Sequence, residues 1–362
     1  MKTAWMILIL IVFSAMIGGC GNNYDKIQIG SILILTGIGS NQGDMSRKGI
    51  DLAVKEINQD GGILGRNVTV AHEDNPDAEP ATAVTALKNL NARGIDIVIG
   101  PIWTPAGLAT APVACEDKIL LISPGVGVSE FNKECDYVYN LWMEDKISST
   151  ALGKRIHSDG HKRLAILGSQ QAWEAAQAEA VKEGYESAGG NVAVMEMPPG
   201  DSKDYRTEIL RINAASPDAI YIQYSYLDLG ARQARDMGID APIYTSVIDM
   251  PRVESGGAAL EGAVSMSSFT PTDWFKKKFF EEYGIEADIT SDQAYDAMRL
   301  IAEAMRKTEK TDAESVKGYL KGVKSYEGAS GSLKFDENRG IHKPFRVVKV
   351  EGGKIVEERT AG

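Results

Sequence analysis

Thr104-Pro105 is where residue types and spacing alone set up a ligand contact. It follows Ile95, Ile97, Val98 and Ile99, a β-branched run that Gly100-Pro101 brings to an end. Threonine accepts a hydrogen bond from an orphan N–H of a first helical turn, and proline at the first helical position has no N–H to lose, so a helix is predicted to open here. At the carboxyl edge of a parallel sheet, that hydroxyl and the free N–H groups of the turn suit an anion. Thr104 therefore carries two readings, helix cap and ligand contact.

Other chemistry is thin. The loop Gly37 to Gly43 spells GIGSNQG after a strand and before a helix, but it lacks both the Gly-x-Gly-x-x-Gly spacing and the Gly-Lys-Ser/Thr ending of nucleotide-binding loops. No Ser-His-Asp set or paired-carboxylate motif is legible. His72, His157, His161 and His342 are scattered and show no ligand spacing with the cysteines. Catalysis, a cofactor and a metal are therefore not expected. A formal charge of -11 disfavours nucleic acid and anionic membrane surfaces as partners.

The first residues are set aside. Lys2 precedes an unbroken apolar or small run from Ala4 to Ile17, too short to span a bilayer, and Gly18-Gly19 leads to Cys20. Residues 1-19 read as a signal peptide, and Ile17-Gly18-Gly19-Cys20 resembles a bacterial lipobox that would acylate Cys20. Residues 20-25 then form a linker from the lipid, and the protein is exported, a cell-membrane lipoprotein facing the periplasm or the cell exterior. In an oxidising compartment Cys115 and Cys135 can pair, closing a loop of about twenty residues; two free thiols is the alternative.

The mature chain is too long for one hydrophobic core, and the full sequence, with 43% hydrophobic and 25% charged residues, is ordinary for a globular protein. Two series of alternating strand and helix follow. Gln28 to Leu35, Val68 to Ala71, Ile95 to Ile99 and the run before Pro124 read as strands of a first lobe. Between them, Ile50, Ala53, Val54 and Ile57, and then Ala83, Ala86, Leu87 and Leu90, mark helix faces. Arg163 to Leu167, Val192 to Met195, Ala219 to Gln223 and Pro242 to Thr245 are strands of a second lobe, separated by helices at 172-187, 205-214 and 227-237. Helices at 272-283, 291-305 and 313-320 and strand-like pieces around Leu333, Val347 and Ile355 complete the chain. Met143 to Ile147 and Phe269 to Thr272 are candidate crossovers, and repeated βα units imply parallel sheets covered on both faces.

In order and spacing, LTGIGSNQG, GIDLAVKEINQDGGILGR, IGPIWTPAG…ILLISP, PDAIYI, RQARDMGI, AYDAM and SGSLKFDENRG resemble the extracytoplasmic solute-binding proteins of branched-chain amino acid ABC transporters, from about Lys26 to Glu358. The resemblance implies an α/β type I periplasmic-binding fold: two doubly wound lobes joined by three crossovers, with the ligand in the cleft. Lobe 1 would hold residues 26-145 plus about 272-340, lobe 2 residues 146-271 plus about 341-358. It also implies a small-molecule ligand, an amino acid or small carboxylate, permease subunits of an importer as partners, and membrane contact only through the N-terminal lipid. A ligand-sensing receptor of the same fold for an amide, urea or aromatic acid is the alternative.

Carried over position by position, the resemblance puts the ligand carboxylate on Thr104 and on the loop Gly125, Val126, Gly127. That loop commonly ends in a hydroxyl, which Gly127 lacks, so an ordinary α-amino acid is put in doubt. Trp173 stands where an aromatic caps the ligand, Tyr224 or Tyr226 where a second one is expected, and Asp249 where an acid anchors the ammonium. The rival readings are packing for Trp173 and a turn or cap for Asp249, which precedes Met250-Pro251. Trp103 and Trp142 are taken as packing residues beside the cleft.

Overall fold

The computed structural model describes residues 26–200 and 202–358. Residues 1-19, read above as a signal peptide, Cys20 and the expected 20-25 linker lie outside the described residues. In the first lobe β1 (Lys26–Leu33), α1 (Ser40–Gln59), β2 (Asn67–Asp74), α2 (Pro80–Ala92), β3 (Ile97–Ile99), α3 (Thr104–Asp117), β4 (Leu120–Ser123), α4 (Glu130–Lys133) and β5 (Val138–Asn140) build a parallel sheet of order β2-β1-β3-β4-β5. Side chains alternate across it as a strand requires. Ile97, Ile99, Leu120 and Ile122 join one core, and Val98, Leu121 and Val138 join the core on the opposite face. The first strand begins and ends two residues earlier than its sequence suggests. Asp74 accepts the Leu35 N–H at 2.8 Å and Asp77 the Ile38 N–H at 2.6 Å. These bonds turn the chain early, and α1 enters at Ser40, inside the stretch read as a loop.

The second lobe runs α5 (Asp145–Ser158), β6 (Arg163–Leu167), α6 (Ala172–Ser187), β7 (Asn191–Glu196), α7 (Arg206–Ala214), β8 (Ala219–Ile222), α8 (Leu227–Asp236), β9 (Ile243–Thr245), α9 (Met250–Gly256) and β10 (Val264–Ser267). Strands β6 to β10 are mutually parallel. Helix α5 therefore starts within the crossover expected at Met143 to Ile147. It lies unusually close to α6: a Cβ on Gly153 would meet the Val181 carbonyl at 2.0 Å, and one on Gly184 the Thr150 carbonyl at 2.0 Å. Only glycine at both positions permits that approach.

The chain then returns to the first lobe with α10 (Asp273–Tyr283), α11 (Ser291–Thr308), α12 (Ala313–Leu320) and a three-stranded antiparallel sheet of β11 (Ser325–Gly328), β12 (Gly331–Phe335) and β13 (Ile341–His342). Phe275, Met298, Leu333 and Ile341 are buried in the core that β1 and α1 share. Finally β14 (Arg346–Glu351) and β15 (Lys354–Glu357) add antiparallel to β10, giving the order β15-β14-β10-β9-β8-β6-β7, and Val350 enters the core of the second lobe. The chain thus passes between lobes after β5, β10 and β13. Arg346 donates to the Phe269 carbonyl at 3.2 Å and ties the second passage to the third. Cys115, in α3, and Cys135, beyond α4, form a disulfide.

Candidate ligand-binding site

The loops that leave the carboxyl ends of both parallel sheets face each other, where open α/β folds bind ligands. They enclose a cavity of about 130 Å³. A cavity of about 150 Å³ takes a benzene-sized molecule, so this one suits a ligand of a few to ten heavy atoms. From the first lobe come Gln42 on α1, Trp103 and Thr104 at the start of α3, and Gly125 and Gly127 after β4. From the second come Trp173 and Glu174 on α6, Tyr224 and Ser225 after β8, and Val247 after β9. Trp142, Asp145 and Thr290 close the remaining side.

Of the residues expected here, Thr104, Gly125, Gly127, Trp173 and Tyr224 line the cavity; Val126, Tyr226 and Asp249 do not. Val126 is fully buried in the core cluster that holds Phe131, Val138 and Leu121, so its side chain is in the lobe and not in the cleft. A 3-10 turn over Tyr224–Tyr226 sends the two phenols apart: Tyr226 packs on Tyr205 with ring centroids 4.4 Å apart and donates to the Pro199 carbonyl. Asp249 caps α9 by accepting the Arg252 N–H at 3.1 Å. Its other oxygen accepts from the Tyr224 hydroxyl at 2.6 Å, so it positions a residue that lines the cavity.

Thr104 is not a cap. Trp103 holds the position before the helix at φ 70° and ψ 145°, a left-handed backbone that costs a non-glycine residue on the order of 1–3 kcal/mol and concentrates at functional sites. The Thr104 hydroxyl is buried and without a hydrogen-bond partner. Trp103 donates its indole N–H to Gln42 at 2.6 Å, and Gln42 reaches the Tyr224 hydroxyl at 3.4 Å. A chain from Trp103 through Gln42 and Tyr224 to Asp249 therefore crosses the cleft. The loop after β4 is less free than expected. The carbonyls of Gly125, Val126 and Gly127 accept from the Trp103 N–H, the Asn140 amide and the Asp145 N–H, and Ser123 takes the Gly125 N–H.

Trp142 is a correction of a second kind, since it lines the site instead of only packing beside it. Its indole donates to Asp145 at 2.7 Å, and the Trp173 indole donates to the other Asp145 oxygen at 2.9 Å. Burial pushes the Asp145 carboxyl up to about 6, and the two indole donors draw it back down. A Cβ on Gly127 would lie 1.9 Å from Asp145 Oδ2 and 2.7 Å from Trp173 Nε1. The hydroxyl missing at Gly127 is missing because that carboxylate occupies its place. Asp145 and Glu174 went unread in the sequence; the available signal was an acid three residues after one tryptophan and another directly after a second.

Elsewhere His72 bridges Ser31, at 2.7 Å through Nδ1, and Asp51, at 3.0 Å through Nε2. Ser31 is fully buried inside β1, so this trio holds the sheet to α1 and offers no nucleophile to a substrate.

A two-lobed receptor that encloses a small molecule between two parallel sheets is the class that these features define. The chain belongs to the periplasmic binding protein family, whose model matches residues 26–354; it is an exported solute-binding protein and not an enzyme. It is 28% identical over 345 residues to a Leu/Ile/Val-binding protein, BraC3, of Rhizobium johnstonii, covering 91% of this chain and 93% of that one. Its fold is similar to that of the substrate-binding protein LivJ of Streptococcus pneumoniae in complex with isoleucine, with TM-score 0.84, 24% identity and coverage of 92% and 100%. A solute-binding protein of Rhodopseudomonas palustris in complex with 3,4-dihydroxybenzoic acid is similar too, with TM-score 0.82, 24% identity and coverage of 92% and 96%.

Proposed function

We propose that this protein captures a small amino-acid-like solute between its lobes and delivers it to the permease subunits of an ABC importer, held at the membrane by a lipid on Cys20. The observation that carries the reading is the enclosed cavity between lobes that touch directly through Gln42 and Tyr224. The lobes divide near residues 145, 271 and 341, and passages this thin let them separate until a solute bridges them. Small-angle scattering is expected to show a smaller radius of gyration with saturating L-leucine, L-isoleucine or another solute that raises the melting temperature. No change on saturation with such a solute would remove the cleft from the function.

On this reading the unpartnered Thr104 hydroxyl receives the solute carboxylate. Thr104→Ala then removes one charge-assisted bond, on the order of 1.5–3 kcal/mol, and affinity falls roughly ten- to a hundredfold. Thr104→Ser keeps most of it. Because Thr104 makes no cap bond, the melting temperature of the ligand-free protein stays level. Calorimetry that finds parent-like affinity in Thr104→Ala would exclude the contact.

A further inference from the structure

We infer that the solute carries a positively charged nitrogen seated on Glu174, and that simple anionic carboxylates are excluded from this cleft. The inference rests on the solute-binding reading above and names the charge that the site selects. Two carboxylates line the cavity, Asp145 and Glu174, and among the described residues that line it there is no lysine, arginine or histidine. Asp145 is already engaged, one oxygen by each indole. Glu174 is not. Its residue is 1% exposed, and neither carboxylate oxygen has a hydrogen-bond partner.

An isolated carboxylate out of water is among the most unfavourable arrangements a fold can hold, and it persists where a partner arrives to complete it. Glu174 lies in the first turn of α6 with both oxygens unpartnered, which leaves them to a donor that the solute brings. The walls agree with a positively charged donor, since Trp103, Trp142, Trp173 and Tyr224 line the same space, and aromatic faces attract ammonium groups. Asp249 lies behind Tyr224, outside the lining of the cavity, where its two oxygens accept from the Arg252 N–H and the Tyr224 hydroxyl. The acid that meets the solute has thus moved from the end of β9 to the start of α6. A solute with only a carboxylate would bring a third carboxyl group into a cavity with no base, which is a specificity device by repulsion.

The test uses the full chain and six probes in three charge classes: isoamylamine and choline, L-leucine and glycine betaine, isovalerate and 3,4-dihydroxybenzoate. Thermal shift followed by calorimetry is expected to show stabilisation by nitrogen-bearing probes and none by the two anions. Glu174→Gln is expected to weaken the best probe ten- to a hundredfold while the ligand-free protein melts at the same or a higher temperature, because the carboxyl has no partner in the fold to lose. Tight binding of either anion overturns the inference, and so does unchanged affinity in Glu174→Gln. Failure of every nitrogen-bearing probe to stabilise the protein overturns it too, as does a ligand-free variant that melts several degrees lower, which would make Glu174 structural. Anion binding that still compacts the protein would leave solute capture standing and sink only the charge assignment; a bound probe without compaction would do the reverse.

Discussion

Gly127→Thr, which supplies the hydroxyl that the resemblance leads one to expect after β4, is expected to lower solute affinity by a hundredfold or more. The added Cβ would sit 1.9 Å from Asp145 Oδ2 and 2.7 Å from Trp173 Nε1, closer than any carbon tolerates. Asp145 has no room to retreat, since its backbone N–H is bound to the Gly127 carbonyl at 2.9 Å and its two oxygens to Trp142 and Trp173. Overpacking costs about 1–3 kcal/mol, and a buried donor or acceptor stripped of its partner costs about 1–3 kcal/mol more. Together that is about 2–6 kcal/mol, with a middle value near three powers of ten in affinity where the damage falls on binding. The indole of Trp173 carries the damage into the cavity wall. Adding Asp145→Ser to Gly127→Thr reopens the space, so the double variant should bind better than Gly127→Thr alone, a coupling that titration calorimetry on the four proteins measures directly. Parent-like binding by Gly127→Thr would mean that the carboxylate does not fill that corner when solute is present.

The same corner shows where sequence reasoning stops. The elements were legible because strands buried on both faces leave dense β-branched runs, as at Ile97-Val98-Ile99, and helices leave a 3.6-residue stripe, as at Ile50, Ala53 and Ile57. Thr104 was nameable from the strand end and helix start around it, and Gly125, Gly127, Trp173 and Tyr224 only because the family resemblance carries them over position by position. What filled the gap at Gly127 was not legible. Asp145 reaches it from the first turn of a helix in the other series, a tertiary contact that its spacing from Trp142 hints at but does not aim, and Trp142 at the end of an apolar run looks like any core tryptophan. Tyr224 and Tyr226 were inseparable for a different reason: a single 3-10 turn decides which ring faces solute and which stacks on Tyr205.

The ligand-free protein is expected to melt several degrees higher at pH 5 than at pH 8, opposite to the usual behaviour of a carboxylate-rich surface. Burial pushes Asp145, Asp288 and Asp292 up to about 6 and Asp296 to about 7, from an ordinary value of 3.8. A folded value above the unfolded one means that the folded chain holds the proton through the interval between them. Their contribution is complete below about pH 4 and is lost as pH rises through 6 to 7. One pK unit is about 1.4 kcal/mol, and pH 5 lies about one unit below a folded value of about 6, so each of these carboxyls contributes on the order of 1 kcal/mol to the difference between pH 5 and 8. The acids held below their ordinary values, such as Asp228 by Ser255 and Arg252 and Glu358 by Arg155, lose their contribution only at still lower pH and do not oppose the trend. Asp288 also links the trend to closure. It is in the first lobe, takes the Asn41 amide at 3.4 Å, and faces the Asp249 carboxylate and the Met250 N–H of the second lobe. Protonating it removes repulsion across the cleft, so Asp288→Asn should flatten the pH slope and leave a more compact ligand-free protein at pH 8. Calorimetric melting between pH 5 and 8 that is flat or rises with pH, in the parent chain, would show these carboxyls to be ionised in the folded state throughout.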